Sequence, residues 1–413
     1  MTSILTRRLA RNGQSFLRSK WLQMSTSSQH IIKSPIPDLE EAPKGNFINY
    51  LFKDINNHRD KEAVRCSMTG KSYKYGELWD KMSRFAGLLK KLGVQKGDVV
   101  ALHGPNFPDY SIVFFGTMFI GATLSPVSCT YTPDEIARQL SDCGAKVVVG
   151  HPLFEAPMSA ALQAYGKHTH CLMMGPSANP KAINLMQALE DDNIPFQDPV
   201  QLTGDEAVVL PYSSGTTGPP KGVVQTHHAF ATFMKIISHP YFYSKGEDPD
   251  IQDQFFGLMP FYHIYGMNVM AVSFFNGMRL VTAPKFDAPT FVQTLKDHKI
   301  DRLHLVPPIL NFLVQSPAAT SEALSSIRGI IIAAAPVAPS MAKAFKKKMD
   351  KDIVFQECFG MTEIFVTHQT PIEAEKLGTS GQVISNCQAN LLMLKQEIQS
   401  QLILKENCLL NHL

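Results

Sequence analysis

The chain has 413 residues, of which 44% are hydrophobic and 18% are charged, a balance typical of a globular protein with a large core. No apolar run reaches the roughly eighteen residues that a membrane-spanning helix needs, so we do not expect a transmembrane segment. Residues 1–24 carry five Arg and Lys side chains and no acidic one, so they account for the formal net charge of +3. The remainder is slightly acidic and gives no reason to expect a nucleic-acid partner.

The first 30 residues form a basic leader, rich in Arg and Ser and without Asp or Glu. This composition is typical of a mitochondrial presequence, so we expect a mitochondrial location. A disordered basic tail is the alternative, and translation from Met24 would omit most of the leader. In that case we expect a cytoplasmic or peroxisomal protein, although residues 411–413 are not a peroxisomal signal.

The seven cysteines are odd in number and widely spaced, with no C-x-x-C pair. No His cluster at the spacing of metal ligands accompanies them. We therefore expect a reducing compartment and no structural zinc.

From about residue 45, helical and strand patterns alternate, which predicts an α/β fold with helix-covered, mainly parallel sheets in more than one subdomain. Residues 78–92 have apolar side chains at helical spacing, and residues 99–102 follow as a buried strand. Thr132, with Glu135 three residues later, predicts a capping box for the next helix, which Gly144 ends. Further strands are expected at 146–149, 208–210, 303–306 and 328–333, and a further helix from about 339.

Residues 212–222, which follow the strand expected at 208–210, have the most informative composition in the chain. Three glycines let backbone N–H groups approach an anion, four Ser and Thr hydroxyls add donors, and Lys221 adds a positive charge. An ordinary surface turn needs only two or three such residues. A Walker-type loop is excluded because Gly218 and Lys221 do not stand at its spacing. The stretch therefore predicts a polyphosphate-binding loop.

Three further segments follow in chain order: residues 260–267 (P-F-Y-H-I-Y-G-M), residues 329–336 (ending A-A-A-P) and residues 357–363 (E-C-F-G-M-T-E). Together with residues 213–222, they resemble the motifs of the adenylate-forming (AMP-binding) enzymes. That superfamily includes acyl-CoA synthetases, 4-coumarate:CoA ligases, beetle luciferases and peptide-synthetase adenylation domains. The resemblance is nearest to the acyl-CoA synthetase and 4-coumarate:CoA ligase-like branch.

The resemblance implies a nucleotide site. In the family, an aromatic residue flanks the adenine, a Thr reaches the α-phosphate and a Glu helps to hold Mg²⁺; these roles fall on Phe359, Thr362 and Glu363. Lys221 is the implied catalytic cation, and Thr217 the second implied metal ligand. Without the family context, Thr362 would be read as a helix cap and Glu363 as a solvated carboxylate. The implied nucleotide contacts are Ser213, Ser214, Gly215, Thr216, Thr217, Gly218, Lys221, Ala333, Ala334, Ala335, Glu357, Cys358, Phe359, Gly360 and Thr362.

This sequence departs from the family pattern at three positions. Phe359 stands where many members have Tyr, which keeps the aromatic face and loses a hydroxyl. Cys358 and Ala333 each replace a common Gly. The extra methyl group of Ala333 would tighten the adenine slot.

The acid side of the site is implied by residues 260–267. His263, the fourth implied catalytic residue, would act as a shutter near the substrate carboxylate, and Tyr265, Gly266 and Met267 would line the acyl pocket. A lone His in an aromatic setting is otherwise more often a core residue. His263 need not act as a base, since a carboxylate is already ionised at pH 7. An aryl-propenoate and a medium-chain fatty acid suit such a pocket about equally.

The implied reaction has two steps. The small carboxylic acid attacks the α-phosphate of ATP and releases pyrophosphate, and the thiol of coenzyme A then captures the acyl-adenylate. ATP, Mg²⁺ and coenzyme A are therefore the expected cofactors and co-substrates.

The resemblance extends over residues 31–386 and then stops. The family's ribose-binding Asp and its C-terminal lid domain, with its Lys, have no counterpart here. Residues 387–413 are expected to be a non-family tail, helical or disordered, arising from alternative splicing or a frame shift. Impaired turnover and self-association through exposed sheet edges would follow. The alternative is a non-catalytic isoform that binds nucleotide, acid or a partner chain.

Overall fold

The structure is a computed structural model that describes residues 31–213, 218–246, 248, 250–373, 376–391 and 406–407. The basic leader, residues 1–30, lies outside the described residues. The chain divides into two compact units. The larger unit comprises residues 40–381, and the smaller one combines the residues before and after that range.

Helices and strands alternate along the larger unit, as predicted. The helices are α1 (Phe47–Leu51), α2 (Ile55–His58), α3 (Tyr75–Lys91), α4 (Pro108–Phe119), α5 (Pro133–Cys143), α6 (Glu155–Tyr165), α7 (Leu185–Ala188), α8 (His227–Ile237), α9 (Ile264–Phe275), α10 (Ala288–Asp297), α11 (Pro307–Gln315) and α12 (Pro339–Met349). The strands, numbered along the whole chain, are β1 (Ile31–Lys33), β2 (Glu62–Cys66), β3 (Ser72–Lys74), β4 (Val99–His103), β5 (Thr123–Val127), β6 (Val147–Gly150), β7 (His170–Met173), β8 (Ile183–Asn184), β9 (Ala207–Val209), β10 (Tyr212–Ser213), β11 (Lys221–Gly222), β12 (Gln225–Thr226), β13 (Gln254–Gly257), β14 (Arg279–Thr282), β15 (Arg302–Leu305), β16 (Gly329–Ile332), β17 (Val354–Met361), β18 (Phe365–Gln369), β19 (Gln382–Val383), β20 (Gln388–Leu391) and β21 (Glu406–Asn407).

One sheet of the larger unit has seven strands, in the order β12-β9-β5-β4-β6-β7-β8. Its members pair in parallel except for β12, which joins β9 antiparallel. The strands expected at 99–102, 146–149 and 208–210 are β4, β6 and β9, each displaced by no more than one residue at either end. The interior of β4 and all of β6 are buried, which explains their continuous apolar sequences.

The second sheet of this unit runs in the order β18-β17-β16-β15-β13-β14-β2-β3. All neighbours from β17 to β2 are parallel, and β18 and β3 join antiparallel. The strands expected at 303–306 and 328–333 are β15 and β16. These two sheets confirm the predicted α/β class with mainly parallel strands. Because β13, β15, β16 and β17 are parallel, the segments that follow β13, β15 and β16 emerge at one edge, beside the second half of β17.

Local signals in the sequence placed several helices correctly. The helix expected over 78–92 is α3, whose buried face includes Leu78, Met82 and Phe85. Helix α5 has the predicted capping box between Thr132 and Glu135, and it ends at a left-handed glycine, Gly144, with φ of 64°. The buried apolar faces of α1, α3, α4, α8 and α9 share the largest hydrophobic core with the sheets, while α10, α11 and α12 cover the second core.

The smaller unit contains a short antiparallel sheet in the order β1-β20-β21. Asn386, with a positive φ of 62°, precedes β20, and its Oδ1 accepts a hydrogen bond of 2.7 Å from the backbone N–H of Leu39. The tail expected after residue 386 therefore starts with strand Gln388–Leu391 and not with a helix. Its pairing partner is Ile31–Lys33, more than 350 residues earlier, so the local periodicity that suggested a helix carried no information about it. The rest of the expected helix, residues 392–402, lies outside the described residues.

Within the part of the chain that the structure describes, no helix is long and apolar enough to span a bilayer.

Candidate active site

The two ends of the predicted phosphate loop meet in a short hairpin. Strand β9 ends at Val209, and β10 then pairs with β11 so that Ser213 lies opposite Lys221. Gly218 has a φ of 133°, a conformation that favours glycine. Lys221 is exposed. Of the predicted nucleotide contacts, Ser214, Gly215, Thr216 and Thr217 lie outside the described residues.

The turn that carries Thr362 and Glu363 is tied directly to this hairpin. The Oγ of Ser213 donates to Oε1 of Glu363 over 3.3 Å. Nearby, the Nε2 of Gln225, in the strand β12 that follows the hairpin, donates to the carbonyl oxygen of Thr362 over 2.6 Å. Two motifs that are about 150 residues apart in sequence are therefore in direct contact. Thr362 is buried, while the Glu363 carboxylate is exposed.

Strand β17 leads into this turn and packs closely against β18. A Cβ added at Gly360 would lie 1.8 Å from the carbonyl oxygen of Phe365, so only glycine fits there. Phe359 is half-buried and contacts His368 edge to face, with ring centroids 5.9 Å apart. Cys358 is buried, and its burial raises the pKa of its thiol to about 12, so the sulfur stays protonated. The packing of β17 against β18 therefore requires glycine at position 360, independently of any nucleotide contact.

Glu357 has partners within the protein. It is buried, and its Oε1 accepts a hydrogen bond of 2.8 Å from the backbone N–H of Gly378. Burial raises the pKa of this carboxyl, and backbone N–H donors from Gly378, Val337 and Thr379 oppose that shift. The geometry therefore gives Glu357 a role in holding the loops around β17, and its predicted contact with nucleotide stays a prediction.

The three alanines of the A-A-A-P segment follow the end of β16. Ala333 is half-buried and its N–H donates to the carbonyl oxygen of Leu305, while Ala334 and Ala335 are exposed. Ala334 has a φ of 73°, a left-handed conformation that costs an alanine about 1–2 kcal/mol. The strained residue, Ala334, directly follows Ala333, which is the position where this sequence departs from the family's Gly. Strained residues of this kind cluster at functional sites.

His263 is the N-cap residue of helix α9, and a backbone N–H of the helix fixes the orientation of its ring. Its Nδ1 accepts a hydrogen bond of 3.2 Å from the backbone N–H of Tyr265, which leaves Nε2 as the protonated nitrogen of the neutral ring. Protein atoms around the ring lower the pKa of His263 by desolvation, although the residue keeps an exposed edge. A helix N-terminus also disfavours a positive charge. His263 is therefore neutral near pH 7 and presents an N–H donor.

An apolar cavity of about 50 Å³ lies between α8, α9 and one face of the second sheet of the larger unit. Tyr265 forms part of its wall, and its hydroxyl donates to the carbonyl oxygens of Ile331 at 3.1 Å and Leu305 at 3.4 Å. The other lining residues are Phe233, Ile237, Phe242, Tyr243, Phe255, Asn268, Val269, Val272, His304, Ile331, Cys358, Val366 and Gln369. This cavity is the candidate acyl pocket.

Two residues predicted to line the acyl pocket have other surroundings. A Cβ added at Gly266 would lie 2.1 Å from the carbonyl oxygen of Pro260, so this glycine lets α9 pack against the preceding loop. Met267 is fully buried in the largest core and does not line the cavity. Helical periodicity explains why, since Tyr265, Val269 and Val272 share one face and Met267 lies on another.

The residues present fit a magnesium ion shared with phosphate oxygens. Mg²⁺ is usually held by one or two carboxylates together with phosphates and water. Glu363 supplies one exposed carboxylate beside the Ser213 hydroxyl. Over the described ranges, no group of three or more His, Cys, Asp and Glu side chains could hold an ion by itself.

Sequence reasoning missed three polar residues at this site. Gln225 fixes the Thr362 carbonyl from the strand after the loop. Asn268 and His304 are buried and line the cavity. A signal for the last two was available, because each interrupts an otherwise apolar run, one in α9 and one in the strand expected at 303–306.

The chain matches the model of a family described as "AMP-binding enzyme" over residues 51–399. It is 29% identical over 391 residues to 4-coumarate–CoA ligase 3 of Arabidopsis thaliana, covering 91% of this chain and 67% of that enzyme. The chain thus spans about two thirds of the length of such relatives. The family match extends beyond residue 386, the last residue to which the resemblance of the motifs was followed.

Solved structures share the fold. The anthranilate CoA ligase AuaEII in complex with anthranoyl-AMP superposes with a TM-score of 0.78 at 19% identity, covering 86% of this chain and 67% of the other. The luciferase-like enzyme of the mealworm Zophobas morio gives 0.77 at 22% identity, covering 87% and 84%. Since the family match covers most of its length, the chain belongs to the AMP-binding enzyme family of adenylate-forming enzymes.

Proposed function

We propose that this chain is an ATP-dependent acid:CoA ligase, which activates a small carboxylic acid as an acyl-adenylate and transfers the acyl group to coenzyme A. The observation that carries the proposal is the hydrogen bond between Ser213 and Glu363. It joins the polyphosphate loop to the turn after β17, and Cys358 of β17 lines the apolar cavity. A triphosphate and an acid bound at these places would meet at the α-phosphate.

The proposed first step needs charge stabilisation more than proton transfer. The acid arrives as a carboxylate, so its oxygen attacks the α-phosphorus and pyrophosphate leaves. Lys221 would neutralise the β- and γ-phosphates, and the Thr362 hydroxyl would donate to an α-phosphate oxygen as charge develops there. A Mg²⁺ ion held by Glu363 and the phosphates would add positive charge at the same place. His263, being neutral, would donate from Nε2 to the acid without forming an ion pair.

In the second proposed step, the sulfur of coenzyme A attacks the acyl carbonyl and AMP leaves. The curated relatives are 4-coumarate–CoA ligases and one of the matched structures is an anthranilate CoA ligase, which supports an acid:thiol ligase reaction here. Those names also favour an aromatic acid. A medium-chain fatty acid is the alternative that the cavity's aliphatic side chains support.

Pyrophosphate release with ATP, Mg²⁺ and a panel of aromatic and medium-chain acids tests the proposal. We expect K221Q to lose about 10²- to 10³-fold in kcat, because one positioned cation is removed. K347Q, which changes an exposed lysine on α12, is the matched control and should retain the rate. Undiminished turnover in K221Q would contradict the assigned role. ATP binding without pyrophosphate release by the unaltered chain would favour the non-catalytic alternative.

We also propose that the basic leader directs the protein to mitochondria, on the composition of residues 1–30 alone. The test is the distribution of the full chain fused to a fluorescent protein at its C-terminus. A matched variant with the five basic residues of 1–24 changed to Gln should become diffuse. Diffuse fluorescence of the unaltered chain would contradict the proposal.

A further inference from the structure

The hairpin formed by β10 and β11 is attached to its surroundings on two sides. It follows β9 and precedes β12 along the chain, and it is a separate sheet of two short strands, with Tyr212 opposite Gly222 and Ser213 opposite Lys221. So short a hairpin is marginally stable by itself, so contacts with its surroundings determine where it lies. The bond between Ser213 and Glu363 is the contact on one side. On the other side, the hairpin contacts helix α5.

Helix α5 holds the hairpin through a hydrogen bond between two side chains. The hydroxyl of Tyr212 donates to Oδ2 of Asp142 over 2.5 Å, which joins residues 70 positions apart in the sequence. A cavity of about 120 Å³ lies beside this bond, lined by Tyr131, Glu135, Arg138, Gln139, Asp142, Tyr212, Pro219 and Pro220. Because open space separates part of the hairpin from the helix, the hydrogen bond fixes the distance between them at this point.

The position of Asp142 is unfavourable for helix α5 itself. Asp142 is the next-to-last residue of the helix, where its negative charge faces the negative end of the helix dipole. The last turn, all of which the structure describes, contains no basic residue. Asp134 and Glu135, by contrast, lie in the first turn, where acidic side chains stabilise a helix. The helix gains nothing from a carboxylate at position 142, so the bond with Tyr212 is the interaction that explains it.

The ring of Tyr212 also contacts the backbone next to Lys221. A Cβ added at Gly222 would lie 3.2 Å from Cζ of the Tyr212 ring and 3.3 Å from its hydroxyl oxygen, so the ring lies directly against the residue after Lys221. Burial and the hydrogen bond to Asp142 raise the pKa of the Tyr212 hydroxyl, which therefore stays protonated and remains a donor. A ring that Asp142 fixes at its hydroxyl end holds this part of β11 in place.

We propose that Asp142 and Tyr212 are positioning residues for the polyphosphate of ATP. Their hydrogen bond keeps the strand pair that carries Ser213 and Lys221 at a fixed distance from α5, while Glu363 holds the opposite side. The backbone of Lys221 is then already ordered when the phosphates bind, so less conformational entropy is lost on binding. The inference rests on the proposed function, since the phosphates are those of the ATP that this site is proposed to cleave.

A purely structural role for the bond is the competing interpretation. Asp142 is exposed and Tyr212 is half-buried, so water can replace the lost partner when either side chain is changed. Removal of the carboxylate in D142A also relieves its unfavourable interaction with the helix dipole. We therefore expect D142A to unfold at the same temperature as the unaltered chain or at a higher one, whereas a purely structural role predicts a lower temperature.

Calorimetry with ATP and with AMP, on the full chain with Mg²⁺ and without acid, tests the inference. AMP lacks the β- and γ-phosphates that the hairpin is proposed to hold, so its Kd should be the same in every variant. We expect Y212F and D142A each to raise the Kd for ATP about 5-fold, and the double variant to raise it no further, since both changes remove one bond. D142N, which keeps an acceptor oxygen, should retain part of the ATP affinity. D134A, which changes an exposed carboxylate of the same helix, is the matched control and should leave both Kd values unchanged.

Unchanged ATP affinity in Y212F and D142A would overturn the inference, as would an equal loss of ATP and AMP affinity or a lower unfolding temperature of D142A. If the unaltered chain binds ATP no more tightly than AMP, the inference fails together with the role assigned to Lys221. If the preference for ATP depends on the bond but no acid yields pyrophosphate, the proposed function fails while the inference stands. If pyrophosphate is released and the preference for ATP survives in both variants, the inference fails while the proposed function stands.

Discussion

In the second sheet of the larger unit, the amino ends of the parallel strands (the amino edge) and their carboxyl ends (the carboxyl edge) differ in how their polar residues are paired. At the amino ends of β13, β15 and β16, Asp253, Asp301 and Arg328 form a densely paired ionic network. At or just beyond the carboxyl ends of the parallel strands lie the exposed Glu363, the strained Ala334 and the unpaired His304. One set of parallel strands therefore carries its ionic stabilisation at one edge and its proposed chemistry at the other.

At the amino ends, charged side chains are paired with one another within the protein. Asp253 is buried and pairs with Arg328, and its Oδ2 accepts hydrogen bonds of 3.0 Å from the Tyr243 hydroxyl and the Gly246 N–H. Asp301 accepts from the backbone N–H of Gln254 over 2.7 Å. The ion pairs and these hydrogen bonds use most of the polar atoms of the cluster, although the Oδ1 of Asp301 is buried without a hydrogen-bond partner.

The carboxyl edge lacks such internal partners. Glu363 is exposed and contacts only a hydroxyl in the described residues, Ala334 is in a left-handed conformation, and His304 has no hydrogen bond. The left-handed Ala334 and the buried, unpaired His304 each cost folding free energy, while the exposed Glu363 remains free to bind a cation. The contrast distinguishes a cluster of charges that stabilises the fold from the proposed site more clearly than the number of charges does.

The largest effect on stability is expected at the amino edge. D253A should lower the free energy of unfolding by about 3 kcal/mol, because Arg328 and the Tyr243 hydroxyl lose a buried partner. Urea unfolding measures the change. Among D253A molecules that remain folded, the KM for ATP should be unaltered. A large rise in KM without loss of stability would contradict the separation of the two edges.

At the carboxyl edge, we expect a substitution of similar free-energy cost to slow the reaction and to leave the stability unchanged. E363Q should reduce pyrophosphate release by about 10²-fold, which corresponds to about 2.7 kcal/mol, because the charge that would hold Mg²⁺ is lost. Its free energy of unfolding should remain within about 0.5 kcal/mol of the unaltered chain, since Glu363 is exposed. The exposed Glu373 provides a control, and E373Q should change neither quantity.

The histidine in the cavity should make the carboxyl edge acid-sensitive. The pKa of His304 is lowered to about 3, below its unfolded value near 6.5, so the unfolded state takes up the proton first as the pH falls. Stability is therefore lost as the pH falls below about 6.5. H304Q should remove a loss on the order of 2 kcal/mol between pH 7 and pH 5, measured by urea unfolding at each pH. Identical pH profiles for H304Q and the unaltered chain would contradict the burial of an unpaired, neutral imidazole.

The smallest effect is expected at Ala334. A334G should raise the free energy of unfolding by about 1 kcal/mol, because glycine adopts its left-handed conformation without the Cβ clash. Ala335 is the matched control, since its φ is not positive and A335G should be neutral or slightly destabilising. A loss of stability in A334G equal to that of A335G would show that the strain is absent.

Short-range signals predicted much of this architecture. The Thr132–Glu135 capping box and the buried strands at 99–102 and 303–306 depend on neighbours in sequence, and they lie where they were expected. The composition of residues 212–222 predicts phosphate binding, because that function needs many donors within one short segment, and the role of this loop stays a prediction. The second sheet then places the other three segments near the carboxyl ends of its strands, and the bond between Ser213 and Glu363 joins the loop to them.

Long-range partners escaped prediction for a physical reason. The hydrogen bond from Gln225 to Thr362 and the pairing of Gln388–Leu391 with Ile31–Lys33 join residues more than 130 positions apart. No local pattern encodes which distant group completes such a contact. The unused polarity of Asn268 and His304 was visible as an interruption of apolar runs, but its meaning depends on a cavity that exists only in the folded chain.

The hydroxyl of Tyr265 bridges the carbonyls of Leu305 and Ile331 on adjacent strands. A ring held in this way does not rotate aside for a bulkier acid, so it is a fixed wall of the cavity. Adaptation to a longer or wider substrate would instead act through unanchored neighbours such as Val269 and Val272, which lie one and two helical turns further along α9. Diversification of the acid could then proceed by small exchanges on one helix face, while the residues proposed to contact the phosphates stay unchanged.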